Sequence, residues 1–138
     1  MTQITAGSGL PESPIYLATV PGTGVTGSIR PEETGAGIYA APAGLFLNPA
    51  AYTAPLKGQW GNAGRDSVIG PSQFSLNTSF GRTFRRDRYS LDFRIDSVNF
   101  LNHVTYTSWD ATINSTQFGL PAAANAMRSM QGTLRLRF

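Results

Sequence analysis

The sequence predicts an all-β fold: long antiparallel strands at about 73–84, 89–100 and 127–138, preceded by a Gly/Pro-rich loop segment over 1–72. Three observations lead there. Apolar and polar residues alternate in three runs of the C-terminal half, which is the mark of a strand with two unlike faces. Glycine (15) and proline (9) are abundant and charged residues are only 14%, which opposes a helical bundle. The 138 residues suit one domain, and a hydrophobic content of 41% opposes full disorder.

Residues 1–72 come first. Eight prolines from Pro11 to Pro71 and ten glycines from Gly22 to Gly70 interrupt it. Each proline removes a ladder donor and each glycine weakens a strand. The segment is expected to pack as ordered loop around Tyr16, Tyr39, Phe46, Tyr52 and Trp60, with one helical turn within Phe46–Tyr52.

The first long strand puts Phe74, Leu76, Thr78, Phe80, Arg82 and Phe84 on one face. Gln73, Ser75, Asn77, Ser79, Gly81 and Thr83 take the other. A charged turn, Arg85–Arg88, follows. In the second strand Tyr89, Leu91, Phe93 and Ile95 oppose Ser90, Asp92, Arg94 and Asp96. The phase slips at Ser97, so a bulge or strand end is expected there. Residues 102–126 read as loop. In the third strand Met130, Gly132, Leu134, Leu136 and Phe138 oppose Ser129, Gln131, Thr133, Arg135 and Arg137. A turn at Arg86–Asp87 would pair Arg85 with Arg88, Phe84 with Tyr89 and Phe80 with Phe93. Asn77, Ser79 and Gly81 would then face Asp96, Arg94 and Asp92.

Strands of roughly 10–12 residues exceed the mean of about 5–6 in globular proteins and match the roughly 9–11 that cross a bilayer at a tilt. Connections alternate between long loops and one tight turn, as in outer-membrane barrels with short periplasmic turns and longer extracellular loops. In that frame Phe84, Tyr89 and Phe138 form a periplasmic aromatic cluster.

Composition removes several classes of chemistry. With no cysteine there is no disulfide framework and no thiolate site. One histidine excludes a site built on two. The pI near 9.7 belongs to the C-terminal half, where eight arginines stand against Asp87, Asp92, Asp96 and Asp110. Met1–Ser13 lacks the pattern of a signal peptide. No apolar run is long enough for a transmembrane helix, a criterion blind to strands.

The stretch from Gly61 to Phe138 resembles the C-terminal end of TonB-dependent outer-membrane receptors, in particular the large Oar-like type with a carboxypeptidase-regulatory domain found in acidobacteria. The matching residues are Gly61-Asn62-Ala63-Gly64-Arg65, Gly70-Pro71-Ser72-Gln73-Phe74-Ser75-Leu76, Leu91-Asp92-Phe93-Arg94-Ile95-Asp96, Asn99-Phe100-Leu101-Asn102-His103, Gln117-Phe118-Gly119 and Arg135-Leu136-Arg137-Phe138. Ser8-Gly9-Leu10-Pro11 and Arg30-Pro31-Glu32-Glu33-Thr34-Gly35 are similar to that family's preceding strand end and loop. The resemblance implies a location in the bacterial outer membrane. It also implies a barrel-assembly signal on Gly132, Leu134, Leu136 and Phe138. The family's barrel has 22 strands, a plug and an energy-coupling box, so the chain is expected to act as a terminal fragment without activity alone. Its expected partners are the remaining barrel strands, or sister chains, through open strand edges, and outer-membrane lipid. The alternative is a stand-alone self-assembling or soluble β-sheet module.

The site expectations are correspondingly plain. Phe74, Leu76, Phe80, Phe84, Tyr89, Leu91, Phe93 and Ile95 form the apolar face toward lipid or a partner. Asn77, Asp92, Arg94, Asp96, Arg135 and Arg137 form the polar face. Asp92 and Asp96 flank Arg94 as a charge ladder, not as an acid/base pair. His103 lacks the company a metal needs. Gly22–Gly27 lacks the Lys-Ser/Thr ending of a phosphate loop. No nucleophile elbow occurs. The Arg and Phe residues of 80–94 lie mostly on opposite faces, which opposes nucleic-acid stacking. No enzyme activity, cofactor, metal or nucleic acid is expected.

Overall fold

A computed structural model describes residues 1–19, 22–24 and 27–138. Its strands are β1 (Thr2–Gly7), β2 (Pro11–Glu12), β3 (Tyr16–Leu17), β4 (Ser28–Ile29), β5 (Glu32–Glu33), β6 (Tyr52–Thr53), β7 (Val68–Ile69), β8 (Gln73–Arg86), β9 (Tyr89–Val98), β10 (Tyr106–Trp109), β11 (Pro121–Ala124) and β12 (Ser129–Arg137). A 3-10 turn spans Pro49–Ala51, within the expected helical stretch. The Asn48 side chain caps it by accepting from the Ala50 amide at 3.0 Å.

Two compact units emerge. A sheet unit comprises Met1–Gly7, Gln73–Thr105 and Asn125–Phe138; a loop unit comprises Ser8–Ser72 and Tyr106–Ala124. The boundary expected at residue 72 is thus replaced by a discontinuous division. Residues 2–7 leave the loop segment for the sheet, and residues 106–124 leave the C-terminal half for the loop unit.

The sheet unit is one antiparallel sheet in the order β1-β8-β9-β12. It has four strands where alternation predicts three. Strand β1 escapes the pattern because only Ile4 and Ala6 mark its apolar side; pairing with β8 (Ile4↔Leu76, Ala6↔Phe74) sets them beside that strand's apolar residues. The β8–β9 hairpin also corrects the expected register. Arg86 pairs with Tyr89, Phe84 with Leu91 and Phe80 with Ile95, two residues beyond the expected partners. The reason is the turn. Strand β8 continues through Arg85 and Arg86, and the chain reverses over Asp87 and Arg88, with Asp87 at φ 52°. Aspartate tolerates that left-handed conformation better than most residues. A two-residue offset matches the strand period, so face membership is unchanged. Strand β9 ends at Val98, and Asn99 takes a φ of 50°.

The loop unit holds the hydrophobic core: Leu47, Ala51, Tyr52, Ala63, Val68 and Phe118, with Ile38, Trp109 and Ile113 packed against it. Tyr52 and Phe118 meet edge to face at 6.2 Å. Residues 106–124 join this unit through specific backbone bonds. The Ile15 amide donates to Ala111 O (3.0 Å) and the Ile113 amide to Ile15 O (2.9 Å). The Leu17 amide and carbonyl both bond the Asn114 side chain, at 2.9 and 3.0 Å. Within the expected 102–126 loop, β10 and β11 pair with two register shifts. Those irregularities erase the period-two signal.

Candidate functional site

The register sorts the sheet's side chains into two faces. Directly opposed residues share a face, so three rows follow from the pairings: Phe80, Ile95, Gly132; Arg82, Phe93, Leu134; and Phe84, Leu91, Leu136. Arg86 and Tyr89 form the last row before the turn. At the other end Leu76 and Phe74 pair with Ile4 and Ala6. Every residue assigned to the apolar face from sequence lies here, joined by Ile4 and Ala6, whose short run carries no readable period. Phe138 lies one residue past β12.

This face is exposed. Phe80 is 63%, Ile4 66%, Leu134 69% and Leu136 61% accessible. Soluble domains hide such residues and leave polar ones outside. In this sheet the apolar face is left as open as the polar one, with Leu76, Leu91, Phe93 and Ile95 half-buried on it. From Phe74 to Phe84 the band runs ten residues along β8, about 33 Å along the strand and about 25 Å tall at a barrel's usual tilt. That is the height of the apolar belt of an outer-membrane barrel.

The opposite face carries the charge ladder. Its rows are Ser79, Asp96, Gln131; Gly81, Arg94, Thr133; Thr83, Asp92, Arg135; and Arg85, Ser90, Arg137. Arg94 Nε donates to the Asp96 carboxylate at 2.8–2.9 Å. Asp92 accepts from the Thr83 hydroxyl at 2.6 Å and pairs diagonally with Arg137 Nη2 at 3.4 Å. The two carboxylates therefore have separate partners. Asn77 sits at the end of this face, where its Oδ1 accepts the Asn99 amide at 3.1 Å.

Asn99 organises the strand mouth. Its Nδ2 donates to His103 O (3.1 Å) and Ala126 O (3.2 Å), while its Oδ1 accepts the His103 amide at 3.0 Å. The His103 ring meets Phe74 edge-on at 6.0 Å. Of the glycine-rich run, Val25 and Thr26 lie outside the described residues; Gly22, Gly24 and Gly27 all have positive φ, a turn conformation.

In the loop unit, segments distant in sequence interlock. Asn62 Oδ1 accepts the Glu33 amide at 2.7 Å and the Asn62 amide donates to Glu32 Oε2 at 3.2 Å. The Gly64 amide donates to Glu33 Oε1 (3.1 Å) and the Ala63 amide to Pro31 O (3.0 Å). Gly61 is needed here because a Cβ would fall 2.0 Å from Pro31 O. Near β10, burial pushes the Glu12 carboxyl above its ordinary range, against the Trp109 amide that bonds it at 3.2–3.3 Å. Burial also opposes ionisation of Asp110, but the Ser115 hydroxyl (2.6 Å) and Thr112 amide (2.9 Å) outweigh it and hold that carboxyl below the ordinary range.

The comparisons agree with the sheet. A family model described as outer membrane beta barrel domain matches residues 2–131. That span takes in β1, which alternation overlooked, and both units. Searches of curated proteins and of solved structures found no match. The location is the bacterial outer membrane, and the chain belongs to the outer membrane beta barrel domain family.

Proposed function

We propose that the chain supplies barrel wall and extracellular loops to a TonB-dependent outer-membrane receptor, with no catalytic chemistry of its own. The observation that carries the wall is the long apolar face that the sheet unit leaves uncovered. The receptor reading draws on the family resemblance and on where its motifs fall. Gly61–Arg65 and Arg30–Gly35 interlock through four hydrogen bonds among six residues, and Phe118 of Gln117-Phe118-Gly119 joins the loop-unit core. An ordered loop unit suits a receptor that must present a defined surface. In this reading the outer face meets lipid, the ladder face lines the lumen, edges β1 and β12 continue into neighbouring strands, and Gly132, Leu134, Leu136 and Phe138 carry the assembly signal.

The test uses native outer membranes and an antibody raised against the loop unit. A receptor gives a heat-modifiable band far above 14.8 kDa, and intact cells bind the antibody. A band at the chain's own mass, assembled into oligomers, would instead identify a self-assembling module that closes its edges with sister chains.

A further inference from the structure

The turn end of the apolar face is unlike the rest of it. Arg82 shares that face with Phe84, and Arg86 with Tyr89, by register. The Arg82 guanidinium lies 5.4 Å from the Phe84 ring centroid, so it leans toward the turn and away from the sheet middle. Arg88, in the turn, places its guanidinium 5.4 Å from the Tyr89 ring, and its Nη2 donates to Tyr89 Oη at 3.4 Å. The neighbouring positions on this face are Phe93, Leu134, Leu91 and Leu136. No carboxylate stands among them. Asp87 is in the turn, and Asp92, on the other face, is taken up by Thr83 and Arg137. None of the three arginines is ion-paired among the described residues.

We propose that Arg82, Arg86 and Arg88, with Phe84 and Tyr89, bind the phosphate groups of anionic phospholipids at the membrane surface, and so fix the depth and tilt of this hairpin. The inference rests on the wall reading and names the lipid chemistry of one end. Three features favour it. An arginine inside the lipid face is tolerable only near an interface, where its cost nearly vanishes, and Arg82 reaches there by bending toward Phe84. Arg86 is one row past the apolar edge, at headgroup depth. Aromatic rings belong at that level, where an apolar body meets water. Short turns mark the periplasmic side of such barrels, so the lipid is a phospholipid of the inner leaflet.

The test floats the full chain with neutral phosphatidylcholine vesicles and with vesicles in which a third of the lipid is phosphatidylglycerol. Basic residues near an anionic surface contribute about five-fold each, so the charged vesicles should capture the chain about 100-fold better. The R82Q/R86Q/R88Q variant should lose that preference while neutral vesicles still capture it. The R85Q/R135Q variant, altered on the opposite face, should keep it. Equal loss in both variants would reduce the effect to net charge and overturn the site. Equal capture of the parent chain by both vesicles would overturn the site and leave the wall reading standing. Capture by neither would overturn the wall reading itself. Inorganic phosphate abolishing the preference, where chloride at the same ionic strength does not, would assign the arginines to a soluble anion.

Discussion

At the residue scale, the fold depends on a few residues that the chain cannot exchange. Asn99 combines a φ of 50° with three side-chain hydrogen bonds around the strand mouth. Asn99→Ala removes them all and retains the unfavourable backbone, a loss of about 2 kcal/mol. Amide exchange at His103 should quicken about 30-fold, while Asn99→Asp, which keeps the acceptor, should quicken it less. Gly61 and Gly7 make a second comparison. A methyl on Gly61 collides with the Pro31 carbonyl, whereas one on Gly7 meets nothing within 4 Å. Gly61→Ala should therefore open the loop unit to limited proteolysis, and Gly7→Ala should leave its digestion pattern unchanged.

At the element scale, the two sheet faces should respond oppositely to charge. Phe80 is on the apolar face and Thr133 on the polar face. Phe80→Arg should weaken insertion into vesicles by about 2–4 kcal/mol, the cost of a cation deep on a lipid face. Thr133→Arg should change it little. Acid should loosen the segment around β10 and β11. Asp110 has a lowered folded-state pKa, so its contribution is present above the unfolded value and is lost as pH falls through the folded one. Exchange at Thr112 should rise below about pH 3.9, and Asp110→Asn should flatten that dependence. Glu12 has the opposite sign: its pKa is raised, so its burial costs stability at neutral pH and the cost disappears on protonation. Glu12→Gln should then stabilise the loop unit at neutral pH.

At the scale of the whole molecule, the division of labour is between a unit with a core and a unit without one. The loop unit buries Leu47 and Val68 completely, while the sheet leaves an apolar face and two edges, β1 and β12, unpaired. Open edges cannot stand in hydrocarbon, because their amides and carbonyls find no partner there. Light scattering of the chain in plain buffer should therefore find oligomers or aggregates, and detergent should disperse them. A monodisperse monomer without detergent would contradict the wall.

Alternation along the chain is enough to place the three long strands and sort their residues into two faces. Period-two alternation is a local property, and Phe80, Leu91 and Leu134 announce their side without reference to neighbours. The sequence also pointed to the 3-10 turn near Pro49 and the strand end near Ser97. Hairpin register was less legible, because it depends on whether Arg85 and Arg86 extend a strand or enter a turn, and the conformation of Asp87 decides that. Strand β1 was illegible: two apolar residues make no period, and only pairing with β8 gives them a face. The loop unit was illegible for the same reason on a larger scale. Its stability comes from contacts such as Asn62 with Glu32 and Glu33, or Asn114 with Leu17, between residues about 30 to 97 positions apart. Glycine and proline mark that segment as irregular backbone, but which carbonyl a glycine must approach is settled only when the chain has folded.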